Sequence, residues 1–480
     1  MAGKSIYRKY DWSLILSYLA LLIFGWLNVY SSIHTDTSSL LNMPEPYDNH
    51  PIWMCTALFV ASFILFIVPS RIYEGFSWLF YIGIAGLLLV TTFIGTDING
   101  SKSWLTFGGF AIQPAEFSKI TTSLALATLM SKYGFNIKYP RNWIRAFATI
   151  GLPMLLILLE KETGSMLVYL GFLLLFYREG MSGWLLLAGL FSILTFILCL
   201  VASPFVAMLV LLGCFILIYF FHYKMEMKGI IITIITIFAL SFLPKILLMD
   251  FIVTINPFKP EVWVALITVA IVLFLLFRNY IQKKRDAFAR NILVMYLAFT
   301  SFIFSVEFIF HNVLQDHQRS RIEVVLGIKD DPKGIGYNVH QSLIAIGSGG
   351  FSGKGYLQGT QTRLNFVPEQ TTDFIFCTVG EEWGFLGALA ILGIYFFMLC
   401  RIINRAEKNS DNFTRIYGYC VACCLLTHIV INISMTIGMM PVIGIPLPFI
   451  SYGGSSLIAF TILLFIFIRL DFDQWKYLKQ

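Results

Sequence analysis

Solid apolar runs of about 20 residues recur along almost the whole chain, separated by short polar turns. A run of that length crosses the hydrocarbon core of a bilayer as a helix. Fourteen qualify, at about 12–31, 52–69, 76–94, 115–132, 143–159, 163–177, 183–202, 204–221, 229–248, 261–277, 291–310, 384–400, 416–437 and 453–468. The fifth and sixth are short and are parted by the polar Glu160-Lys161-Glu162. A transmembrane barrel is excluded, because its strands alternate polar and apolar positions. The pattern predicts an all-α polytopic membrane protein built as one membrane domain. Residues 1–182 form its N-terminal core spans, 183–310 an enlarged middle block, 311–383 a long loop and 384–480 the C-terminal core spans.

Composition agrees. Of 480 residues, 58% are hydrophobic and 13% charged, about half the charged fraction of a soluble domain, which rules out a soluble enzyme, a disordered chain and a fibre. The net charge of +7 divides by side. With the N-terminus inside, 23 of the 34 Lys and Arg fall in inside loops, giving +14 there and −7 elsewhere. The positive-inside rule therefore places both termini in the cytoplasm and the 311–383 loop outside. The basic excess belongs to topology, so no nucleic-acid partner is expected. The first run follows Lys4, Arg8 and Lys9 but is long and lacks a small-residue cleavage site, which reads as a retained span. Eight cysteines lie mostly within apolar runs, and no His stands at metal-ligand spacing, so no all-protein metal site is expected.

Four segments carry polar chemistry. The first, 99–119, contains Lys102 and Trp104 and enters the fourth span through Pro114, with Glu116 and Lys119 spaced to pair on one face. The pair is a functional site or a structural lock between spans, and Trp104 suits an interfacial anchor. The second, Glu160-Lys-Glu-Thr-Gly-Ser165, is a polar turn capped by Thr163 or Ser165, or a pair of site carboxylates. The third is the long loop, with Arg319, Arg321, Gln341, Ser342, Lys354, Glu369, Thr372 and Asp373. Its glycines fail the Walker pattern at Ser348 and Gly355. Asp373, flanked by Thr372 and Phe374, suits a general base with a raised pKa, or a cap for the next helix. The fourth is Met440-Pro-Val-Ile-Gly-Ile-Pro-Leu-Pro-Phe-Ile-Ser-Tyr-Gly-Gly-Ser-Ser456, which contains Ser451 and Ser455. Its prolines enforce non-helical backbone at membrane depth, tolerated only where it is buried in protein or lines a cavity.

Together these segments resemble the SEDS family of bacterial cell-wall glycosyltransferases, and its rod-elongation branch more than its division branch. Gln341–Gly350, Pro368–Phe376 and Pro446–Ser456 stand close to the family pattern, as does His317-Gln318-Arg319 for the elongation branch. Ile443 stands where division members carry Lys. Departures are Gly100-Ser-Lys-Ser-Trp104 for Gly-Ala-Arg-Arg-Trp, Glu162 for the Asp of Pro-Asp-Leu-Gly-Thr, and about four spans added to a ten-span core.

The resemblance implies a peptidoglycan glycosyltransferase of the bacterial inner membrane, polymerising lipid II on the extracytoplasmic side during elongation and cell division. An acceptor hydroxyl attacks the donor's anomeric carbon and undecaprenyl diphosphate leaves. Asp373 matches the family's proposed catalytic aspartate. Lys102, Trp104, Glu116, Lys119, Glu162, Arg319, Arg321, Gln341, Ser342, Lys354, Glu369, Thr372, Ser451 and Ser455 are candidate substrate-binding residues. The resemblance also implies Mg²⁺ or Mn²⁺ bridging the diphosphate, a class B penicillin-binding protein as transpeptidase partner, and membrane lipids around the spans. A lipid II flippase and a non-catalytic scaffold of the elongation machinery are the alternatives.

Overall fold

The computed structural model describes residues 10–34, 47–98, 101–107, 110–223, 268, 287–312, 319–320, 322–323, 326, 328–329, 336–364 and 366–477. The expected spans 229–248 and 261–277 and Arg321 lie outside the described residues, Thr268 apart. Before the middle block come α1 (Trp12–Ile33), α2 (His50–Phe66), α3 (Ser70–Gly75), α4 (Ser77–Ile94), α5 (Pro114–Met130), α6 (Pro140–Leu159), α7 (Thr163–Val168) and α8 (Phe172–Arg178). A 3-10 turn, Tyr169–Gly171, joins the last two. Then follow α9 (Trp184–Val201), α10 (Pro204–Tyr223), α11 (Ala287–Asn312), α12 (Tyr337–Gly349), α13 (Thr360–Arg363), α14 (Ile375–Glu407), α15 (Asn412–Thr436) and α16 (Gly454–Tyr477). Among the described residues, eight helices are long and apolar enough to cross a membrane.

The chain divides into two compact units, residues 183–330 and the remainder. In the smaller, α9, α10 and α11 pack on one another around Leu211, Phe215, Tyr296, Phe299 and Ile303. In the larger, α15 and α16 are central. Their most apolar windows are each 78% buried, against 39% for α1 and 22% for α4. α15 packs on α14 and α5, while α16 packs on α2 and α5. α5 is buried on nearly all sides, which explains its high content of small and hydroxyl residues. The outer helices expose large apolar side chains such as Phe59, Phe93, Leu155 and Phe396, the surface that lipid would cover.

At one end of the larger unit, charges pair rather than stand free. Arg401 binds Asp11 at 2.7 Å, Arg405 binds Asp471 at 2.5 Å, and Arg415 binds Glu179 at 3.2 Å. Asp11 and Asp411 also cap α1 and α15. Glu116, Lys119, the Asp373 turn and the Pro-rich loop lie towards the opposite ends of α5 and α15.

Three short strands between Thr96 and Ile112 form an antiparallel sheet that the apolar pattern did not predict. β1 (Thr96–Ile98) pairs with β2 (Ser101–Phe107), which pairs with β3 (Phe110–Ile112). The Lys102 N–H donates to the Glu160 carbonyl at 3.1 Å, seating the sheet on the turn after α6.

Candidate functional site

The Pro-rich loop is the foundation of the site. Its second half is buried in protein, with Ile445, Leu447, Phe449 and Ile450 almost inaccessible, while residues 440–444 are partly or fully exposed. Proline supplies no N–H, so the carbonyls here need donors from elsewhere. Tyr395 on α14 donates to Pro448 O at 2.5 Å, and Asn432 on α15 to Ile445 O at 2.7 Å. Ser451 Oγ accepts from Leu447 N (2.8 Å) and donates to Thr372 O (2.5 Å). Tyr452 N donates to Thr371 O at 2.8 Å. The loop and the 369–374 turn are therefore one hydrogen-bonded body.

Asp373 lies in that turn, just before α14. Its carbonyl accepts from Asn432 Nδ2 at 2.8 Å. Gly444 lies beside the carboxylate, where a Cβ would reach ordinary contact with Asp373 Oδ2 at 3.4 Å, and its φ of 80° is what favours glycine. α14 starts at Ile375 with Phe374 as its cap residue and no side-chain capping bond, so the helix-cap reading of Asp373 falls. Burial, then the charge of Glu369, pushes the Asp373 carboxyl up to about 7. Glu369 is exposed, holds φ 51°, and accepts from Thr372 Oγ1 at 3.1 Å. Beneath the turn, Phe374, Cys377, Val367, Ala345 and Met435 form a small apolar cluster.

A second cluster lies at the start of α5. Glu116 and Lys119 are buried and paired at 2.8 Å, and Lys119 Nζ also lies 2.8 Å from His428 Nε2. Glu162 bonds Ser165 and Gln113 and feels the charges of Glu116 and Lys119. Ser165 thus donates to Glu162, and α7 carries no side-chain cap, contrary to the capping alternative. Nearby Glu160 is fully buried, and neither of its carboxylate oxygens has a hydrogen-bond partner among the described residues. Burial and the Glu162 charge raise it to about 8. The folded state therefore holds that proton more tightly than the unfolded chain does. Stability is lost as pH rises from about 4.5 to about 8. Glu160→Gln should raise the melting temperature by several degrees at pH 9 and by progressively less towards pH 5, read by thermal melting in detergent.

The remaining candidates are dispersed. Ser342 on α12 donates to Thr436 O at 2.9 Å and ties α12 to the end of α15. Gln341 is partly exposed on α12, and Ser455 is buried in the first turn of α16. Lys102 is exposed and Trp104 partly exposed on β2. Arg319 belongs to the smaller unit, where its guanidinium donates to Phe310 O (3.0 Å) and His311 O (2.9 Å). Lys354 is no open anion site: it pairs with the fully buried Glu381 at 2.7 Å. Asn432 and His428 did not stand out in the sequence, where each reads as a lone polar residue in an apolar helix.

The class follows from fold and site: a multi-pass helical membrane protein that holds buried carboxylates against a proline-rich loop. The family model described as cell cycle protein, FtsW/RodA/SpoVE, matches residues 11–211 and 233–475, and the chain belongs to that family. The peptidoglycan glycosyltransferase RodA of Treponema pallidum is 28% identical over 93% of this chain and 94% of its own length. The peptidoglycan glycosyltransferase MrdB of Escherichia coli K12 is 27% identical over 93% and 90%. That of Helicobacter pylori is 44% identical, over 32% of this chain and 39% of its own. Two solved structures share the fold. One, from a peptidoglycan synthase complex coordinating polymerization and crosslinking, has a TM-score of 0.61 at 21% identity, covering 97% of this chain and 99% of that one. The other, the rod shape determining protein RodA of Thermus thermophilus, has a TM-score of 0.54 at 19% identity, covering 97% and 98%.

Proposed function

We propose that this chain is a peptidoglycan glycosyltransferase that polymerises lipid II, with Asp373 as the general base. One observation carries the reading: relatives named for this activity align along 93% of the chain, and Asp373, in the segment that resembles the family's catalytic turn, is a carboxylate raised to about 7. The acceptor hydroxyl gives its proton to Asp373 as its oxygen attacks the donor's anomeric carbon. The bond to undecaprenyl diphosphate breaks, and the electron pair leaves with the diphosphate. A base near pH 7 is deprotonated often enough to act and still basic enough to take the proton.

Lys102, exposed on β2, is the first candidate cation for the diphosphate in the larger unit. Lys119 and Lys354 already serve Glu116 and Glu381. Among the described residues no cluster of three or more metal-ligating side chains occurs. A Mg²⁺ or Mn²⁺ would therefore take its ligands mostly from diphosphate and water. Its chemistry would be neutralisation of the leaving group. Fourteen spans, cytoplasmic termini, an inner-membrane location and an outward-facing Asp373 loop complete the reading, with a class B penicillin-binding protein as partner.

The test is purified protein with labelled lipid II, with and without a partner penicillin-binding protein. Glycan polymer is expected. Transbilayer movement of lipid II in vesicles without polymer would instead identify a flippase, and neither activity a scaffold.

A further inference from the structure

His428 and Asn432 lie one turn apart on α15, and both are buried. Lys119 Nζ is ion-paired with Glu116 Oε2, so it is an ammonium and can only donate. His428 Nε2, 2.8 Å from it, must therefore accept. That fixes the ring's proton on Nδ1, which faces the Pro446 carbonyl at 3.4 Å. One turn further on, the two amide hydrogens of Asn432 Nδ2 go to Ile445 O (2.7 Å) and Asp373 O (2.8 Å). One helix face thus holds two consecutive carbonyls of a proline-bounded segment and the peptide of Asp373 itself. The α5 ion pair is tied into the same chain of contacts.

We infer that Asn432 and His428 are positioning residues for the glycosyl transfer: together they hold the Pro-rich loop and the Asp373 peptide in register, and so aim the Asp373 carboxylate. The inference rests on Asp373 being the base. Neither residue binds the Asp373 carboxylate in this structure, so each acts through the backbone. Asn432 holds the Asp373 peptide directly. His428 holds the neighbouring carbonyl and couples it to Lys119. The carboxylate lies beside Gly444 of the loop, so loosening the clamp admits water and moves the group off its line of attack. Small displacements of a reacting group cost about 10²-fold.

The experiment compares wild type with Asn432→Ala, His428→Leu and His428→Gln in lipid II polymerisation, with Asp373→Asn as reference. For Asn432→Ala, kcat should fall about 30- to 100-fold while KM stays within about twofold. The acidic limb of its pH profile should move down from about 7 by at least one unit, as the carboxylate regains water. His428→Leu should lose about 10-fold. His428→Gln, whose amide both accepts from Lys119 and donates to Pro446, should recover most of that. Thermal melting separates misfolding from misplacement, and rates are taken per folded molecule. The inference is overturned if Asn432→Ala keeps the wild-type kcat and acidic limb, or if His428→Gln and His428→Leu lose equally. An active Asp373→Asn would instead overturn the base assignment itself.

Discussion

Asp373→Asn is expected to lower lipid II polymerisation by about 10²- to 10⁴-fold with little change in KM or melting temperature. General-base catalysis contributes that range, and the substitution keeps the shape of the side chain while removing its basicity. The structure sharpens the expectation through pH. The base must be deprotonated to act, and burial with the Glu369 charge raises it to about 7. Wild-type kcat/KM should therefore fall about tenfold per pH unit below about 7 and level off above it. Glu369→Gln removes one of the two causes, so its acidic limb should shift to lower pH. A polymerisation rate for Asp373→Asn equal to wild type would sink the assignment. A wild-type profile flat from pH 5 to pH 8 would show that another group takes the proton.

Much of the helical framework was legible because each span is a local statement. A solid apolar run in lipid has no alternative to a helix, and run ends fall close to observed helix ends at 12–33, 77–94 and 184–201. α14 shows where locality fails. The apolar run begins at residue 384, yet the helix begins at Ile375, and residue 384 is a kink, with φ 63° and ψ −160°. Glu381 and Glu382 made the preceding turns look like loop. They are tolerated in buried helix because partners come from Lys354, Thr360, Gln361, Thr362 and Ser31. The sheet at 96–112 was hidden by its short strands. Residues with a local signature, Asp373, Glu116 and Lys119, could be singled out from the sequence as candidates. Residues defined by a distant partner could not: His428 acquires meaning only beside Lys119, 309 positions away, and Asn432 only beside Asp373 and Ile445.

The largest effect on stability is expected at Glu381. Its carboxylate is fully buried and accepts from Lys354 Nζ (2.7 Å), the N–H groups of Thr360 (2.8 Å), Gln361 (2.9 Å) and Thr362 (2.9 Å), and Thr362 Oγ1 (2.9 Å). All but Lys354 belong to the start of α13, so a single side chain of α14 organises the first turn of a short helix and the loop before it. The fit leaves no slack: a Cβ on Gly359 would come within 3.0 Å of Glu381 Oε2, and one on Gly349 within 2.0 Å of Gly380 O. Glu381→Ala strands a lysine and three N–H groups at once. Loss of one partner of a buried pair costs about 3–5 kcal/mol, enough to abolish folded protein or lower its melting temperature by well over 5 °C. Lys354→Met is the informative contrast, because the carboxylate keeps its other donors. It should cost less, about 1–2 kcal/mol, and leave the KM for lipid II unchanged. A cation that bound the diphosphate would behave in the opposite way, raising KM about tenfold without changing the melting temperature. Measuring both quantities on the two variants decides whether Lys354 belongs to the scaffold, as its 2.7 Å contact with Glu381 requires, or to the substrate.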